Sequence, residues 1–84
     1  MSVAALVIND VRPEIVEIFR DVFQFDGRVT SRTSPDEVTR WDSLQHIALV
    51  RTIEHTFGIS MSMDEMAELR SAGDIERVLV RYGV

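Results

Sequence analysis

Eighty-four residues bound a single domain with one core, and a 45% hydrophobic content with two prolines and four glycines belongs to a folded chain rather than a disordered one. Fourteen acidic residues against nine basic ones leave a net charge of −5, which excludes a surface built to track nucleic-acid phosphates. Cysteine is absent, which excludes disulfides, thiolate zinc sites and a cysteine nucleophile supplied by the chain.

Residues 1–9 read as an N-terminal lead whose pattern fits a helix extension, a short strand-like lead or a frayed end. Its longest apolar run, Val3 to Ile8, is six residues, far below the ~18 that suggest a membrane span. The lead also lacks the basic start of a signal peptide. No membrane span is expected, and a cytoplasmic protein is the default. The remainder, 10–84, reads as one domain.

Asp10 to Gln24 is the predicted first helix, with Pro13 near its start and Ile15, Ile18, Phe19, Val22 and Phe23 forming a core stripe at helical spacing. Asp26-Gly27 is expected to end it. Arg28 to Trp41 is then a long loop rich in Ser, Thr, Asp and Pro, within which Ser34-Pro35-Asp36-Glu37 suits a helical turn.

The second helix is predicted from about Ser43 to Phe57, with Gly58 as its stop. Ile47, Leu49, Val50, Ile53 and Phe57 share one broad apolar arc, and Gln45, Ala48, Arg51, Thr52 and His55 share the other side. His46 falls inside the apolar arc, where a hydrogen bond to the incoming loop is expected. Ile59 to Met63 alternates like a strand, but no partner strand is evident. A short third helix over Asp64 to Leu69 and a fourth over Asp74 to Tyr82 follow, the last capped by Asp74 with Ile75, Val78, Leu79 and Tyr82 inward. The expected fold is all-α: a small four-helix bundle with a long loop between the first and second helices and a short third helix.

Chemistry concentrates at Trp41-Asp42-Ser43-Leu44, where the loop gives way to the second helix. Asp42 or Ser43 suits the N-cap, and an anionic group on the serine would gain on the order of 0.3–1 kcal/mol from the helix dipole. Together with Ser34 to Arg40 before it, Gln45 to Ile59 after it and the later Ala72-Gly73-Asp74-Ile75 step, this tetrapeptide resembles the acyl carrier proteins. The resemblance covers roughly Asp10 to Val84.

It implies that Ser43 carries 4′-phosphopantetheine, transferred from coenzyme A by a magnesium-dependent phosphopantetheinyl transferase, with Asp42 supporting the modification. It also implies an acyl-loading ligase or acyltransferase and downstream synthase or transferase enzymes as partners, and a carrier that is not itself an enzyme. A monomer is expected. Leu44 and Ile47 lie beside the serine, where they suit contact with incoming enzymes or with the first part of the arm. Met61, Met63, Met66 and Leu69 suit an expandable apolar cleft for an acyl chain, since unbranched thioethers repack at low cost; ordinary core filling is the alternative.

No metal-ligand cluster, phosphate-cradling glycine loop or Ser-His-Asp set is visible. The chain departs from the fatty-acid-synthesis carriers in the charge of its second helix, which has Gln45, Ala48 and His55 where acids are usual and adds Arg51, with Arg40 nearby. A dedicated partner set follows. A specialised lipid or polyketide-type carrier is therefore expected, with an aminoacyl or peptidyl carrier of a nonribosomal pathway and an unmodified helical interaction module as alternatives.

Overall fold

The computed structural model describes residues 11–84, so the expected lead over 1–9 and the expected helix start at Asp10 lie outside the described residues. Among the described residues four helices follow in order: α1 over Pro13–Phe23, α2 over Ser43–Phe57, α3 over Met63–Glu68 and α4 over Ala72–Tyr82. No strand occurs among the described residues. The all-helical fold, the long loop before α2 and the short α3 agree with the sequence pattern.

Helix α1 opens on Pro13, whose fixed φ and missing N–H suit a first helical position. It ends earlier than Asp26-Gly27. Gln24 adopts a left-handed conformation at φ 51°, and the Phe25 N–H returns to the Phe19 carbonyl at 3.3 Å, the six-to-one bond of a Schellman cap. Arg12, just before α1, clamps Glu76 of α4 through its backbone N–H at 2.6 Å and its guanidinium at 3.1 Å. The same guanidinium lies 5.4 Å from the centre of the Phe57 ring, which ties α1, α2 and α4 together at one end.

The core is one cluster: Ile15, Ile18, Phe19 and Phe23 from α1, Leu49, Val50 and Ile53 from α2, and Ile75, Val78 and Leu79 from α4. The loop contributes Val29, Val38 and Trp41. Ile47 does not join the apolar arc and stays 55% exposed. The buried arc is centred on His46 and Ile53, and Ile47 lies about 110° around the helix from that line at 100° per residue.

The loop is a structural element in its own right. Ser34 to Val38 forms a single turn, with Ser34 accepting from the Glu37 and Val38 N–H groups at 3.0 and 3.2 Å while Glu37 accepts the Ser34 N–H at 2.8 Å. Buried Thr33 accepts the Thr30 N–H at 2.8 Å through its hydroxyl. Further along, the carbonyls of Ser31 and Thr33 receive the N–H groups of Gly73 and Ala72, both at 2.9 Å. Those donors belong to the first turn of α4 and have no acceptor within it.

That contact corrects the predicted start of α4. The helix begins at Ala72 and is capped by Ser71, whose hydroxyl accepts the Asp74 N–H. Asp74 is instead inside the first turn, where its carboxylate accepts the Arg70 N–H at 3.0 Å and pairs with Arg77.

Helix α3 is likewise shifted by one residue from the predicted Asp64 to Leu69. Ser62 and Glu65 form a reciprocal capping box that sets its start at Met63, and Leu69 follows its last turn.

Tyr82 does not turn fully inward. Its hydroxyl lies 2.6 Å from Glu65 and 2.7 Å from the Ser60 carbonyl. The phenol beside it, and then the Ser62 N–H, hold the Glu65 carboxyl below its usual range, while the Glu65 carboxylate pushes Tyr82 up.

Candidate functional site

The start of α2 is held from both sides. Asp42, in extended conformation, accepts the Gln45 N–H through its side chain at 2.8 Å and the His46 N–H through its carbonyl at 2.8 Å. It is the N-cap, and no acidic residue follows it in the first turn. Ser43 is therefore the first helical residue, exposed to solvent and without a side-chain hydrogen bond among the described residues. The positive end of a fifteen-residue helix lies beside its hydroxyl.

Beneath this turn Trp41 is buried and wedged between aromatic rings. Phe19 meets it edge to face at 5.4 Å, and Phe23 stacks on it at 5.4 Å. Its indole N–H donates to His46 Nδ1 at 3.0 Å, and His46 Nε2 lies 2.8 Å from the Met66 carbonyl. One imidazole thus links the incoming loop, α2 and α3. With Nδ1 accepting, the ring proton belongs on Nε2, which donates to Met66.

A shallow, open groove of about 450 Å³ runs beside Ser43, lined by Asp42, His46, Ala67, Leu69 and Arg70, with Pro35 and Trp41 closing it on the loop side. The predicted site residues distribute unevenly around it. Leu44 and Ile47 stand out into solvent on α2, Leu44 at 73% exposure. Met61 is buried in the core, its N–H held by Glu54 at 2.8 Å. Met66 is half-buried against the core, and Met63 is 80% exposed.

Of the four residues expected to share a cleft, Met61 and Leu69 belong to the core cluster and Met66 packs against it, as the core-filling alternative has it, while Met63 stands apart; only Leu69 lines the groove. The capping box explains Met63, because it fixes this residue at the first position of a helix less than two turns long, away from α2.

Ala67 and Arg70 were not singled out by the sequence, and Pro35 only as part of a loop turn. No spacing rule connects them to Ser43; the fold brings them there.

The exposed face of α2 carries Arg51 and His55, and its single acid, Glu54, is half-buried and engaged with Met61. Acidic side chains gather elsewhere, at Asp36 and Glu37 on the loop and at Asp64, Glu65 and Glu68 on α3. Among the described residues no group of three or more His, Cys, Asp or Glu is placed to hold a metal ion. No helix among them is long and apolar enough to cross a membrane.

A family profile described as the phosphopantetheine attachment site matches residues 13–79. Two solved structures share the fold. A holo acyl carrier protein from Geobacter metallireducens, determined by NMR in solution, is 30% identical with a TM-score of 0.69, over 82% of this chain and 85% of the other. A chain from Mycobacterium tuberculosis described as an acyl carrier protein is 19% identical with a TM-score of 0.74, over 82% of this chain and 93% of the other. No curated protein sequence matches.

Proposed function

The chain belongs to the phosphopantetheine-attachment family as an acyl carrier protein, and from that premise we propose that Ser43 is its attachment residue. One observation carries the assignment: Ser43 is an exposed hydroxyl, free of internal hydrogen bonds among the described residues, at the positive end of α2 and at the edge of an open groove. A phosphodiester there gains from the N–H groups of Ser43 and Leu44, which have no acceptor within the helix.

In the modification, the Ser43 oxygen bonds to phosphorus, the pyrophosphate bond of coenzyme A breaks, 3′,5′-ADP leaves, and the hydroxyl proton passes to a base of the transferase. The residues present fit the group, which supplies a terminal thiol for thioester formation when attached. The protein's own part is to hold and present, as a carrier rather than an enzyme. Asp42 keeps the serine at the first helical position, and Leu44 and Ile47 offer apolar contact to the modifying and synthase enzymes.

Intact-mass measurement tests this assignment. Incubation with coenzyme A, magnesium and a permissive phosphopantetheinyl transferase should add one phosphopantetheine to the native chain and none to folded Ser43→Ala. Equal modification of both chains, or none on the native chain while a known carrier is modified in parallel, overturns it.

The charge of α2 supports a finer reading, a specialised lipid or polyketide-type carrier with its own loading enzyme. With Arg51 exposed and Glu54 engaged, this helix does not complement a basic enzyme patch. A malonyl transferase of housekeeping fatty-acid synthesis should load the holo protein at least tenfold more slowly than its own carrier, and Arg51→Glu should narrow the gap. Equal loading of the two native carriers overturns the specialised reading.

A further inference from the structure

The groove beside Ser43 contains one guanidinium, and nothing in the fold uses it. Arg70 lies in the short connection between α3 and α4 and lines the groove together with Ser43, Leu69 and Ala67. Its backbone N–H is spent on the Asp74 carboxylate at 3.0 Å, which holds the residue in place. Its side chain is exposed and makes no ion pair or hydrogen bond among the described residues.

Four carboxylates share a groove with it and none is ion-paired to it. Asp74 pairs with Arg77, Glu68 pairs with Arg81, and Asp42, on the groove wall, accepts the Gln45 N–H at 2.8 Å. Asp64 lines, with Glu68 and Asp74, a second groove that Arg70 also borders. Arg77 and Arg81 differ in this respect, since each is paired on the surface of α4. An unpaired guanidinium in a groove whose opposite lip is a helix N-terminus makes that groove favourable to one anionic group with several acceptor oxygens.

Resting on the assignment of Ser43 as the attachment residue, we propose that Arg70 is the ion-pair partner of the phosphodiester at Ser43 and so turns the first part of the arm into the groove over Leu69 and Ala67. Arginine suits this role because its planar donors match the non-bridging oxygens of a phosphodiester. The apolar floor beneath suits the branched carbon segment that follows the phosphate in pantetheine. Arg70 is a positioning residue: it acts on the direction the arm leaves the surface, not on any bond made at the thiol. The contact is solvent-facing, so added salt weakens it.

The experiment uses the full chain, apo and after transfer of phosphopantetheine from coenzyme A, as native protein, Arg70→Gln and Arg70→Lys. Phosphorus NMR reads the phosphodiester, and proton–nitrogen spectra read the arginine Nε–H groups. In the native protein the Arg70 Nε–H resonance should move between apo and holo forms while that of Arg77 stays. Nuclear Overhauser contacts should join the geminal methyls of the arm to Leu69. In Arg70→Gln the phosphorus resonance should approach that of a short phosphopantetheinylated peptide bearing the same tetrapeptide, and the Leu69 contacts should fall at least threefold. Arg70→Lys should restore part of the phosphorus shift. Native spectra recorded at rising salt should drift toward those of Arg70→Gln.

A holo protein whose Arg70 Nε–H does not move, or whose phosphorus resonance and Leu69 contacts match those of folded Arg70→Gln, overturns the proposal and leaves the attachment assignment standing. Failure of the native chain to gain mass overturns both. The Nε–H comparison in native protein needs no variant, so the outcome does not depend on how Arg70→Gln folds.

Discussion

The Trp41 indole N–H donates to His46 Nδ1 at 3.0 Å, and the two rings lie within 11° of parallel, which makes the residue before the Asp42 cap and a residue in the first turn of α2 a single unit. Because His46 also reaches the Met66 carbonyl at 2.8 Å, that unit extends to α3. His46→Ala should leave the Trp41 indole N–H without a partner and the Met66 carbonyl with only the Leu69 N–H at 3.3 Å, and lower stability by about 1–3 kcal/mol. Urea unfolding checks the magnitude. Hydrogen exchange should show the added opening concentrated at the Trp41 indole and in α3.

Asp42 has two separable roles, and two substitutions separate them. Asp42→Ala removes the side-chain acceptor for the Gln45 N–H and should cost roughly 0.5–2 kcal/mol in denaturant unfolding, whereas asparagine caps about as well as aspartate. Asp42→Asn should therefore keep most of the native stability. If the carboxylate also serves the transferase, Asp42→Asn should still slow modification of Ser43, read by intact mass over time.

Gly73 sits where the loop meets α4. A Cβ built on it falls 2.7 Å from the Ser31 carbonyl oxygen, the same atom that accepts the Gly73 N–H at 2.9 Å. Gly to Ala in a helix ordinarily gains up to ~1 kcal/mol. Here the loop must retreat and lose that hydrogen bond, so overpacking of about 1–3 kcal/mol should dominate. Gly73→Ala is expected to lower the thermal midpoint and to shift the Ser31 to Thr33 amide resonances.

These sites also show how far local sequence carries. The start and stop of α2 were legible because Asp42 and Gly58 are local signals, a side-chain cap and a left-handed stop at φ 67°. The start of α4 was not. Ser71 and Asp74 are both good cap residues, three apart, and the choice between them is made by the carbonyls of Ser31 and Thr33, some forty residues earlier. Ser43 and Asp42 were visible as a motif, and so was Trp41 as its neighbour. Its stack on Phe19 and Phe23 was not, because that depends on how α1 packs under the loop. Arg70 belongs to the same class: its position beside Ser43 exists only in the folded chain.

The Glu65 and Tyr82 pair sets a pH dependence with opposite edges. Glu65 is lowered from its ordinary 4.5 by the Tyr82 hydroxyl, so its contribution is present above pH 4.5 and is lost as pH falls through the lowered value. Tyr82 is raised from its ordinary 10.0 by Glu65, so its contribution is present below pH 10 and is lost as pH rises through the raised value. The stability gap between native protein and Tyr82→Phe should be flat from about pH 5 to 9 and shrink at both extremes. Urea unfolding across that range measures it; a gap that widens in acid contradicts the pairing.

Trp41 is the only tryptophan in the chain, and it lies in the core two residues from Ser43 with its indole N–H already engaged. The protein consequently contains its own optical gauge. Ultraviolet emission excited at the indole band comes from one chromophore seated directly under the start of α2, so its colour and lifetime track the packing of that turn. Strain transmitted inward when an enzyme grips the first turn, or when cargo is exchanged, is measurable on unlabelled protein in real time.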